Sequence, residues 1–112
     1  MNVDVTYLFR SGVYFLYGKA IDDSELLMYI GQAKWNAGRR IGLQIDIFRR
    51  KHSEKITRIE FLPCPEQYIN WVEGALIRSM KPCYCVAAPI GRNDAVVMIA
   101  VGNFLKTGEW KW

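Results

Sequence analysis

Two short runs rich in β-formers stand close together near the start of the chain: VYFLYGK, residues 13–19, and SELLMYIGQA, residues 24–33. The polar stretch AIDDS between them supplies turn residues, so the pair reads as a β-hairpin. Each run sets a glycine near a tyrosine, in opposite order: Gly12-Val13-Tyr14, then Tyr29-Ile30-Gly31. On paired strands two such tyrosines can point to one face. Glycine meanwhile removes the side chain that would block close approach of a backbone or a phosphate.

The segment AGRRIGLQIDIFRRKHSEK carries two periods at once. Ile41, Leu43, Ile45 and Ile47 alternate like a strand, whereas Ile41, Ile45, Phe48 and His52 line one face of a helix. The cations that close it favour a helix, because positive charge near a carboxyl end complements the macrodipole. ITRIEFL reads as a third strand, stopped by Pro63 and Pro65, which cannot donate to a ladder. In PEQYINWVEGALIRSMKP the apolar positions Ile69, Val72, Leu76 and Met80 have helical spacing, and Pro82 ends the run. A further helix is expected from Asn93 to Lys106, with Gly108 beyond its end. The order β-β-α-β-α-(α) predicts an α+β fold, a small three-stranded antiparallel sheet flanked by helices. At 112 residues the chain has room for one domain, 1–112, and one core. A single site must do the work.

Fifteen Lys and Arg against eleven Asp and Glu give a formal charge of +4, a mild lean toward a polyanionic partner. No run approaches the ~18 apolar residues of a membrane span, and the opening MNVDVTYLFR lacks the basic and apolar regions of a secretory signal. The expectation is a cytoplasmic protein with no membrane partner. The three cysteines, Cys64, Cys83 and Cys85, are an odd number, which argues for reduced thiols over a disulfide frame. With His52 they could be drawn as a zinc site, but their spacing fits no common zinc pattern.

Cleaving a phosphodiester requires a group that handles the proton of water, a cation that offsets transition-state charge and a carboxylate that holds a divalent metal. Candidates occur at separated places: the hairpin tyrosines, Arg39-Arg40, and Glu73. Glu73 lies in an apolar stretch between Val72 and Leu76, where an unpaired carboxylate is costly to bury. It should face a cleft, pair with a cation or bind metal.

In this order of GVY, YIG, arginine and glutamate, the sequence resembles the GIY-YIG nuclease domain. Gly31-Gln32-Ala33-Lys34 matches the family's GQ(A/S/T)K after YIG, and Glu73 to Ile77 with Pro82 matches its E-x-x-x-I-x-x-x-x-P segment. The resemblance covers about residues 11–92 and leaves 93–112 as a C-terminal helix and tail. It implies an endonuclease that hydrolyses DNA, with Mg²⁺ or Mn²⁺ on Glu73. Tyr14 then activates or positions the water, Tyr29 hydrogen-bonds the scissile phosphate and Arg40 offsets its charge. A base role for Tyr14 would need a nearby cation, such as the helix arginines, to lower its pKa. Counting from Gly31 admits Arg39 as the catalytic arginine, but Arg40-Ile41 fits the local pattern better. Gly31, Lys34, Arg39 and Gln44 are the residues expected to contact substrate.

Two departures stand out. Gln44 replaces a common histidine, which shifts any general-base role toward Tyr14 or Lys34. Cys85 stands where an asparagine usually supports the carboxylate, and Asn93 could replace it only if the chain folds back. The alternative is a catalytically weakened module of the same fold that binds nucleic acid or protein, or a structural protein whose tyrosines are only sheet features. With no fused recognition domain, specificity falls to loops, a homodimer or a partner protein. The tail TGEWKW is expected to be covered by the domain's own core, a second protomer or stacked bases, and closure of the core is favoured.

Overall fold

β1 (Gly12–Lys19) is the middle strand of a three-stranded sheet. It pairs antiparallel with β2 (Glu25–Ala33) on one side and with β3 (Ile56–Pro63) on the other, in the order β2-β1-β3. The protein was described from a computed structural model, which covers residues 11–35, 37–52 (His52 by its backbone alone), 55–85, 88–89 and 93–112. Helices α1 (Ala37–His52), α2 (Ile69–Met80) and α3 (Asp94–Thr107) complete the α+β architecture, with a short 3-10 turn at Glu66–Tyr68 leading into α2. No described helix is long and apolar enough to cross a membrane.

The near-continuous apolar run of β1 suits a strand covered on both faces. Val13, Tyr14 and Leu16 are all fully buried, so neighbours in sequence go to opposite cores. Val13 and Ile30 pack with Ile69, Val72, Leu76 and Val97 on the α2/α3 side. Tyr14 and Leu16 pack with Ile41 and Phe48 on the α1 side. Burying each of Leu16, Ile30 and Ile69 contributes about 1.5–3 kcal/mol.

The hairpin turn closes as its composition predicts. The Ala20 N–H donates to the Ser24 carbonyl at 2.8 Å, and Asp22 Oδ1 accepts from the Ser24 N–H and hydroxyl. Asp23 takes a positive φ of 68°, which a short polar side chain tolerates. Along the β1–β2 ladder the register then slips: Leu16 faces Tyr29 but Tyr17 faces Leu27, which leaves Met28 as an extra residue. This bulge turns Met28 and Tyr29 both toward the α1 core, while Leu27 and Ile30 face the other. The edge of β2 is also covered, because the N–H groups of Cys83 and Tyr84 donate to the carbonyls of Leu27 and Met28.

The ambiguous segment forms the helix α1. Ala37, Ile41, Gln44 and Phe48 are buried, whereas Leu43, which the strand pattern would have placed inside, is half-exposed. Helix α2 ends where Lys81 takes the left-handed conformation and its N–H returns to the Ile77 carbonyl, just before Pro82. Met80, expected on the buried stripe, lies on that last turn and is exposed. Asn93 caps α3 by accepting from the N–H groups of Ala95 and Val96, and Gly108, with φ of 77°, closes its far end.

The tail folds back onto the α2/α3 side. The Trp110 Nε1–H donates to the Pro63 carbonyl at 3.2 Å, and its ring stacks on Phe104 with centroids 4.7 Å apart. Trp112 lies against Tyr68 and Trp71.

Candidate active site

The hairpin register sets Tyr14 directly opposite Gly31. A methyl group on residue 31 would collide with the Tyr14 ring and hydroxyl, and would lie 2.8 Å from Cε2 of Tyr29. Gly31, expected to leave room for a phosphate, therefore gives its room to the Tyr14 side chain. The two tyrosine rings lie side by side with centroids 6.1 Å apart. Tyr29 is held in turn by Phe48 of α1, at 5.6 Å, and Phe48 by Tyr84, at 5.3 Å. Each strand thus contributes a ring, and Gly31 makes room for Tyr14, whereas a side chain at Gly12 would meet Phe61 and the Leu62 carbonyl.

This packing leaves one polar atom without a partner. The Tyr14 hydroxyl is buried and meets no hydrogen-bond partner among the described residues. Leaving such a group unmade costs about 1–3 kcal/mol. Arg40 and the Tyr29 hydroxyl stand beside it, near enough to act on it, without closing a hydrogen bond of ordinary geometry. Burial, and next the neighbouring Tyr29, raise the Tyr14 pKa above its usual value by more than Arg40 lowers it. Arg40 lowers it, as a nearby cation should, but desolvation of the phenolate outweighs that lowering and favours the phenol form of Tyr14. Tyr29 shifts in the same direction, again chiefly through burial.

Glu73 projects from α2 and is 8% exposed. Its Oε1 accepts from the Gln32 side-chain amide at 3.3 Å, and the same amide donates to Asn70 at 2.8 Å. Asn70 and Glu73 are one turn apart on α2, so Gln32 ties β2 to a single helix face. Burial raises the Glu73 pKa, and the Gln32 hydrogen bond and the Arg40 charge lower it by less. The charge of Glu73 also reaches Tyr14, Tyr29 and Cys85. Tyr14, Tyr29, Arg40 and Glu73 are therefore gathered around the second half of β2 from four separate elements. It is Arg40 whose charge bears on both tyrosines and Glu73.

Glu73 is a single carboxylate, the least that a hard divalent cation of the magnesium type would need from the protein. Such an ion keeps most of its water and takes one or two carboxylates together with substrate phosphate, whereas a caged ion needs more protein ligands. Among the described residues no three His, Cys, Asp or Glu side chains are grouped to hold a metal. Cys85 does not support the carboxylate: its Sγ lies 3.4 Å from the Ile30 nitrogen and 3.3 Å from the Ile30 oxygen, pinning its segment to β2. Asn93 is committed to capping α3 and supplies no substitute.

Beside this cluster runs an open groove of about 390 Å³, lined by Gln32, Lys34, Trp35, Arg39, Arg40 and Leu43. Lys34 and Arg39 thus stand next to the tyrosine-glutamate cluster. Gln44 is buried on α1 one turn beyond Arg40. Two residues here were given no role by sequence reasoning. Gln32 was read only as part of the run after Gly31, although strand alternation puts it on the opposite face from Tyr29, toward α2. Trp35 carried no periodic signal, since it lies between a strand and a helix. No family model, curated protein or solved structure matches the chain.

Proposed function

We propose that the protein is a divalent-metal-dependent endonuclease that hydrolyses DNA phosphodiester bonds. The observation that carries this reading is the gathering of two tyrosine hydroxyls, one guanidinium and one carboxylate around β2, with the Tyr14 hydroxyl left unpartnered. Glu73 would hold Mg²⁺ or Mn²⁺, and the bound ion would supply Lewis-acid charge at the phosphate. Arg40 donates to a non-bridging phosphate oxygen and offsets the charge that develops there. Tyr29 donates its O–H to the scissile phosphate, and neutral Tyr14 orients the attacking water once water enters beside Arg40 to meet its buried hydroxyl. The water's proton leaves to solvent, and the leaving oxygen takes one from solvent. The three thiols are unbridged, in keeping with a cytoplasmic setting. Specificity beyond the groove rests with a second copy or a protein partner.

The alternative, a binding module of weakened activity, draws on Cys85. Its thiol is spent on the Ile30 backbone, so the carboxylate of Glu73 is steadied by the Gln32 amide alone, at 3.3 Å, with no second amide from the segment after Pro82.

The test compares wild type with Glu73→Ala on plain duplex, nicked, flapped and branched DNA, with Mg²⁺ and with excess chelator. Cleavage by wild type should need the metal and fall at least ~100-fold in the variant. Full cleavage in chelator, or by the variant, overturns the reading. Metal binding requires the carboxylate, and burial lifts the Glu73 pKa above the usual 4.5. Mn²⁺ affinity should accordingly weaken, as pH falls, earlier than for an ordinary glutamate.

A further inference from the structure

The groove beside the cluster has a composition that neither the tyrosine-glutamate chemistry nor the fold explains. Trp35 is 73% exposed and Leu43 is 50% exposed, and both line a groove that also presents Lys34, Arg39 and Arg40. A tryptophan left this open forgoes a large share of its burial energy, whereas Trp110, Trp112 and Trp71 are engaged in ring contacts. Arg39 and Arg40 lie in the first turn of α1, where no acidic residue is present and the macrodipole already places positive charge, so an anion in the groove would be drawn to both the cations and the helix end.

Flat apolar surface and cations in one groove match a nucleotide: a base has a π-face and its backbone carries a phosphate. In an intact duplex the base faces are covered by their neighbours, so an indole can stack only on a base that is unpaired or displaced. The volume of the groove, about 390 Å³, lies within the range of roughly 300–1,000 Å³ typical of small-molecule sites. Its wall at Gln32 is the residue that hydrogen-bonds Glu73, so a nucleotide held there has its phosphate next to the catalytic carboxylate.

We infer that Trp35 and Leu43 form a stacking platform for an unpaired nucleotide of DNA, with Lys34 and Arg39 on its phosphates. The preferred substrate then carries single-stranded character beside the scissile bond. This rests on the nuclease reading for its link to cleavage, but the platform itself is a binding property and can be measured without any cutting.

The experiment measures binding in chelator, by fluorescence anisotropy, to a short oligo(dT), a blunt duplex, and the same duplex carrying an oligo(dT) flap. Wild type, Trp35→Ala and Trp35→Phe are compared, with melting temperature as a check on folding. Wild type should bind oligo(dT) and the flapped duplex more tightly than the blunt one, and oligo(dT) should quench tryptophan fluorescence. Trp35→Ala should lose about 5- to 100-fold on the single-stranded probes and little on the blunt duplex, while Trp35→Phe retains most of the affinity. Equal losses on all three probes, or none on any, overturn the platform even if Glu73→Ala abolishes cleavage. Selective loss on the single-stranded probes supports the platform, and it does so even if metal-dependent cleavage is never found and the nuclease reading fails.

Discussion

The two faces of one small sheet are packed for different purposes. On the α2/α3 side, Val13, Ile30, Ile69, Val72 and Val97 form an almost wholly aliphatic core, and the C-terminal Trp110 closes it with its indole N–H bonded to Pro63. On the α1 side, equally buried positions hold Tyr14, with an unpartnered hydroxyl, and Gln44, and Arg40 stands at the margin. Both faces exclude water, and each keeps polar groups near the same end of β2: Glu73, hydrogen-bonded to Gln32, on the α2 side, and the Tyr14 hydroxyl, with no hydrogen bond of ordinary geometry, on the α1 side. The α1 side accepts the larger local cost, as sites that must meet a ligand commonly do.

The comparison breaks first at Gly31. Because Tyr14 fills the space where its side chain would be, Gly31→Ala should cost about 1–3 kcal/mol and push the Tyr14 ring out of place. Denaturant unfolding measures the first effect and cleavage assays the second. An unchanged stability would show that the tyrosine packing is slack, and the contrast between the faces would lose its basis.

Trp110→Ala probes the opposite face. It removes a partly buried ring and its hydrogen bond, so a loss of about 1–2 kcal/mol is expected, with Mg²⁺-dependent cleavage per folded molecule unchanged. Should activity fall while the melting temperature holds, the tail would belong to the site and not to the core.

The smallest stability effect sharpens the contrast most. Tyr14→Phe deletes a hydroxyl that makes no hydrogen bond, so stability should stay level or rise by up to about 1 kcal/mol while cleavage drops. A clear destabilisation would mean that the hydroxyl is satisfied in solution and that the face is purely structural.

Much of this architecture was legible in the chain. The β-rich runs around AIDDS, the proline stops at Pro63 and Pro82, the Asn93 and Gly108 ends of α3, and the spacing through Ile69, Val72 and Leu76 are local signals. Each depends on a residue's own backbone preferences or on neighbours within a turn. The double period of 41–47 was settled by the cationic end of the segment, and α1 is the helix that this favoured.

Other features were decided only by tertiary structure. The bulge depends on how two strands meet, and it turns Met28 to the same face as Tyr29 and Tyr14. That Tyr14 would be buried deeply enough to stay protonated, and that Cys85 would bond Ile30 instead of steadying Glu73, depend on desolvation and on contacts across more than fifty residues of chain. The residues themselves carry turns, caps and periods, because those arise from short-range sterics and hydrogen bonding. Burial, register and the reach of the Arg40 charge to Glu73 arise only when separate elements exclude water together, and no local pattern encodes how far that goes.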